Sequence, residues 1–130
     1  MKLMLVMTIA AALATVSCGP SNNGSASETY ATRSNEGEVA FALTPRTATD
    51  GSLTIDIQAN THSGDLAEVD LRKVVTLQAD GITYRPASAT SLSGHHAAGS
   101  ATFALARVPA RFTVTMTGVR GMDTLRFEWP

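Results

Sequence analysis

The chain has 130 residues, with ten basic and eleven acidic side chains, a net charge of −1 and a single cysteine. That length holds one domain and no more. Nearly balanced charge without a Lys/Arg block excludes a nucleic-acid footprint, and one cysteine excludes an internal disulfide framework.

Residues 1–17 have the layout of a secretory signal peptide: Lys2 near the start, an uncharged run over 3–16, then the small Ser17 before Cys18. The run is too short for the ~20 helical residues that a bilayer requires. Ala14-Thr15-Val16-Ser17-Cys18 resembles the lipobox of bacterial lipoproteins, with Thr15 where that family usually carries Leu. The resemblance implies cleavage before Cys18, lipidation of Cys18 and attachment to a membrane of the cell envelope. Gly19, in place of Asp, implies by the same resemblance the periplasmic face of an outer membrane rather than the inner membrane. The alternative is an ordinary signal peptide cut near Ala14 or Ser17. A lone cysteine in an exported chain cannot pair internally, and lipidation accounts for it most simply.

Residues 18–37 are rich in Ser, Asn, Gly, Thr and Glu and read as a lipidated cysteine followed by a flexible tether. Such a linker has an r.m.s. span of roughly 25 Å. Tyr30, its one large apolar side chain, has no evident role at this level.

From residue 38 to 130 the pattern changes to period two, the mark of half-buried strands. Val39, Phe41 and Leu43 alternate with smaller or polar residues until Pro45 ends the run. After Asp50-Gly51, Leu53, Ile55, Ile57 and Ala59 form the clearest strand. Residues 60–72 break the alternation and read as a loop with room for one helical turn. Val75, Leu77 and Ala79 follow, and Asp80-Gly81 predicts a two-residue type I′ hairpin that sets Ala79 opposite Ile82 and Leu77 opposite Tyr84. That returning strand runs to Pro86. Residues 87–100 are small and polar, after which strands are expected over 101–105, 112–116 and 125–129.

Seven short strands without a long helical pattern predict an all-β, immunoglobulin-like or fibronectin-III-like antiparallel β-sandwich. A domain of this size folds without a disulfide or structural metal. Alternating strand directions then place the loops holding His62, the His95-His96 pair and the 118–123 turn at one pole, where the tether also enters.

Neutral imidazoles suit Zn(II) or Cu(II), and a carboxylate can complete such a site, so His62, Asp65, His95 and His96 are candidate metal ligands. Adjacent residues on extended backbone point oppositely, so both His95 and His96 can ligate only if the loop bends, which Gly94 and Gly99 permit. The alternative is that these polar residues anchor the loops by hydrogen bonds. Ser63 beside His62 and Asp65 contains the residue types of a hydrolytic triad, but loop neighbours so close in sequence seldom form the relay.

Thr61-His62-Ser63-Gly64-Asp65-Leu66, Gly94-His95-His96 and the terminal Phe127-Glu128-Trp129 resemble a group of small exported bacterial β-sandwich lipoproteins. The resemblance spans most of residues 38–129, implies that the two histidine loops belong together, and supplies no activity. Two functions follow as expectations. One is a non-enzymatic, lipid-anchored accessory protein binding a divalent transition metal; the other is a metal-free interaction module for another envelope protein.

Overall fold

The computed structural model describes residues 28–48 and 50–130. The expected signal peptide and the lipidation site Cys18 lie outside the described residues. Within them the chain forms two packed antiparallel sheets, as the alternating pattern predicts. The strands are β1 (Arg33–Ser34), β2 (Val39–Thr47), β3 (Leu53–Thr61), β4 (Val75–Ala79), β5 (Ile82–Tyr84), β6 (Ser88–Ala89), β7 (His96–Phe103), β8 (Phe112–Met116) and β9 (Leu125–Trp129). One sheet has the order β1-β2-β3-β7-β6 and the other β5-β4-β8-β9, the four-on-three layout of a seven-stranded immunoglobulin-like sandwich with two added edge strands, β1 and β5.

The core is drawn from the alternating positions of both sheets. Phe41, Leu43, Ile55, Ile57 and Phe103 of one face Leu77, Val114 and Met116 of the other, all of them buried. The hairpin at Asp80-Gly81 has the expected register, Ala79 opposite Ile82 and Leu77 opposite Tyr84, with positive φ at both turn residues. Ile82 is the one large apolar side chain among the described residues that stands exposed. It lies on β5, an edge strand whose outer side carries no further strand among the described residues.

Four expectations are corrected. The strand drawn over 82–86 is two strands in different sheets, because the chain leaves β4 after Tyr84, passes Pro86 and joins β7 as β6. β2 does not stop at Pro45 but runs through it to Thr47. Proline is tolerated there because Pro45 directs its backbone away from β3; its carbonyl accepts from Tyr30 N at 2.9 Å, so its missing N–H falls on the outer ladder. Residues 66–74 form a 3₁₀ turn, Leu66–Glu68, and a helical turn, Leu71–Val74, capped by Asp65 and Asp70 through the backbone N–H groups of Ala67 and Arg72. Leu66, Leu71 and Val74 of these turns are buried and close one end of the core.

The fourth correction concerns the tether, which shortens at its C-terminal end. From Glu28 the chain is already laid along β2 as a strap. Thr47 N donates to Glu28 O, Thr29 bridges Arg46, Arg33 pairs with Leu43, and Asn35 N donates to Phe41 O. Between Thr29 and Arg33 the strap advances four residues while β2 advances three, which is a bulge. There Ala31 O accepts the indole N–H of Trp129 at 2.7 Å. Tyr30 packs edge-on against Phe112 with centroids 5.3 Å apart, and Phe112 stacks on Trp129 at the same spacing. The polar strap thereby joins the free margins of the two sheets.

Candidate functional site

The histidine loops do share a pole. It comprises the strap-to-β2 turn, the connection from β3 to β4, the segment leading into β7 and the β8–β9 loop. Antiparallel order brings these together, and backbone groups then fasten them. Thr61 N donates to His95 O and Leu66 N to Gly94 O, both at 2.9 Å, while Gly94 N donates to Asp65 Oδ1 at 2.8 Å. Gly94 adopts φ +77°, the left-handed conformation that turns the chain toward Leu66.

Asp65 is thus the clip between two loops. Its Oδ1 also accepts from Ala67 N at 2.8 Å, capping the 3₁₀ turn. Donation by Ala67 N–H and Gly94 N–H holds its carboxyl below the usual carboxylate range, with a smaller contribution from His95 nearby. The sequence singled out Asp65 as a ligand candidate; the structure employs one of its oxygens in fastening the pole.

His96 is not a loop residue. It opens β7 opposite Asn60, and its Nδ1 lies 2.6 Å from Asn60 Oδ1. A carbonyl oxygen can only accept, so Nδ1 is the donor in this bond and Nε2 is the ring nitrogen left without a partner in it. His62 stands exposed just beyond β3, and His95 is exposed with its carbonyl bonded to Thr61. Gly99, expected to let the loop bend, lies within β7 with its missing side chain facing Leu92, Thr90 and Leu71. Among the described residues, no three or more His, Cys, Asp or Glu side chains form a group that could hold a metal.

The residues of the considered triad go separate ways as well. Ser63 Oγ donates to Glu38 Oε1 at 3.2 Å, and Asp65 bonds backbone amides rather than an imidazole. Beside them lies a cleft of about 260 Å³, floored by Val39, Leu66, Val69 and Val119 and rimmed by Glu38 and Arg120. Arg120 reaches across it to Glu68 at 3.5 Å, a pairing of exposed side chains.

Sequence reasoning missed Asn60, Glu38 and Leu92. Leu92 was the one signal available, a single large apolar residue in the small, polar stretch 87–100; it is buried and holds the approach to the histidine pair against the core. Asn60 and Glu38 act through neighbours distant in sequence, which no local pattern records. No family model, curated protein or solved structure matches this chain.

Proposed function

We propose that this chain is a lipid-anchored, non-enzymatic β-sandwich module of the cell envelope that engages another envelope protein with the loops of its histidine pole. The observation that carries the reading is the fastening of separate connections into one surface by Thr61 N to His95 O, Leu66 N to Gly94 O and Gly94 N to Asp65 Oδ1. Loops already ordered lose little conformational freedom on association, which favours recognition by a preformed surface. The anchor rests on the lipobox-like run ending at Cys18.

A photo-reactive side chain at His62, with the same group at Thr83 of β5 as control, tests the interaction. A discrete cross-linked species from His62 alone is expected. No adduct, or equal adducts from both positions, refutes the reading. Separately, Cys18→Ala is expected to move the protein from the membrane to the soluble fraction, and continued sedimentation with membranes refutes the anchor.

The bond from His96 Nδ1 to Asn60 favours a second reading, since metal-binding imidazoles are commonly oriented by an oxygen acceptor on the other ring nitrogen. Zn(II) or Cu(II) bound through His62, His95, His96 and Asp65 would require these side chains to converge. Calorimetric titration distinguishes the two: saturable heat abolished by His96→Ala supports metal binding, and its absence refutes it.

A further inference from the structure

We propose that the strap over residues 28–35 orients the anchored domain, turning the pole opposite the histidines toward the membrane and presenting the histidine pole to the aqueous side. This rests on the reading of Cys18 as the lipid anchor. The sequence places the chain's arrival at the histidine pole, because β2 begins there at Val39. The strap reverses that polarity. It runs antiparallel to β2, so Glu28 sits beside Thr47, at the far end of the strand from Val39. The chain from Cys18 therefore reaches the domain at the pole of the β2–β3 turn, the Asp80-Gly81 hairpin and the β7–β8 loop.

The lengths make the reversal matter. The ten residues from Cys18 to Glu28 cover at most about 35 Å, whatever their conformation. Direct arrival at Val39 would leave 21 residues and a reach of about 70 Å. The poles are separated by the nine residues of β2 or β3, about 26 Å of strand rise. With Glu28 tethered within about 35 Å of the membrane, the histidine pole reaches the surface only if the domain lies on its side or inverts, and full inversion takes up about 26 Å of that reach. An upright domain, with Glu28 and its neighbouring turns nearest the bilayer, holds that pole on the far side of the sandwich.

Retention of the strap depends on bonds to both sheets. Two backbone bonds, Thr47 N to Glu28 O and Tyr30 N to Pro45 O, fasten it to β2 at the membrane-facing end. Asn35 completes the other end, its Oδ1 accepting from Phe41 N at 2.9 Å and its Nδ2 donating to Val39 O at 3.1 Å. The Trp129 indole holds the bulge from the second sheet. Pull on the anchor is thus delivered to β2 and to the C-terminal strand β9 together. A partner of the histidine pole accordingly approaches from the aqueous compartment and does not compete with the bilayer for that face.

The test uses the lipidated full chain in phosphatidylcholine–phosphatidylglycerol vesicles bearing a headgroup acceptor dye. Lipidated Cys18 has no free thiol, so a donor dye attaches at one introduced cysteine, either Ala110→Cys in the β7–β8 loop or His62→Cys at the histidine pole. Poles about 26 Å apart predict transfer about two-fold higher from position 110 than from position 62. Equal transfer, or higher transfer from position 62, overturns the orientation while leaving the anchor intact. Failure of the protein to float with vesicles overturns the anchor reading, and the orientation with it. In the Tyr30→Ala, Trp129→Phe background, which weakens the strap's hold, the difference is expected to narrow; an unchanged difference overturns the role of the strap.

Discussion

Gly99→Ala puts the packing beneath the histidine pair to a direct test. A Cβ at this position would lie 2.7 Å from Leu92 Cδ2, 2.7 Å from Thr90 Oγ1 and 3.3 Å from Leu71 Cδ1. Ordinary contact between carbon atoms needs about 3.5–4.0 Å, so at least one neighbour must shift by close to 1 Å. Leu92 is 3% exposed, and Thr90 Oγ1 accepts from Ser100 N at 2.8 Å, so neither moves freely. Overpacking of this kind costs about 1–3 kcal/mol, and alanine in place of a strand glycine returns about 0.5–1 kcal/mol. The expected net loss is about 1–2 kcal/mol, or about 4–8 °C in Tm for each kcal/mol in a domain near this size. Urea and thermal unfolding of a soluble Cys18→Ser chain measure it. Leu92→Ala supplies the second arm: it costs about 2–5 kcal/mol alone, but removes one of the two closest contacts of the new methyl, so the penalty of Gly99→Ala should shrink in that background. A Gly99→Ala protein as stable as the parent, or a penalty that simply adds to Leu92→Ala, refutes the packing argument.

Asp65→Ala removes the acceptor shared by Ala67 and Gly94 and should destabilise the pole at neutral pH. The folded pKa of Asp65 is lowered, so its contribution is present above the unfolded value of about 3.9 and is lost as pH falls through the folded value. The stability gap between parent and variant should therefore be open at pH 7 and close in strong acid; an equal gap at both, by urea midpoint, would contradict this. Trp129→Phe preserves a ring to stack on Phe112 but loses the N–H to Ala31 O, at a cost of about 1 kcal/mol. Faster hydrogen exchange is expected at the Tyr30 amide with β3 unaffected, and unchanged exchange at Tyr30 would show that the indole does not hold the strap.

Local pattern carried much of the fold. Apolar residues two apart over 39–43, 53–59, 112–116 and 125–129 mark strands that the structure contains, because period two reports which side chains must leave water. Asp80-Gly81 specified its own register, since few residue pairs accept positive φ at both positions. Strand parity also placed the histidine loops at a common pole, a consequence of antiparallel order alone.

What parity could not determine was the use of each side chain there. Asp65 and Asn60 bond partners 29 and 36 positions away in sequence, so their roles exist only once β3 and β7 are paired. The strap was illegible for a different reason. A polar edge strand is held by backbone bonds to a neighbour's margin and buries too little surface to leave a periodic trace, so Glu28 to Asn35 reads as tether until β2 and Trp129 are in place beside it. Composition and alternation determined by themselves that residues 38–130 would form a sandwich with its histidines at one end. Only the tertiary structure decided from which end the chain arrives, because that depends on which exposed strand margin the preceding segment finds to pair with.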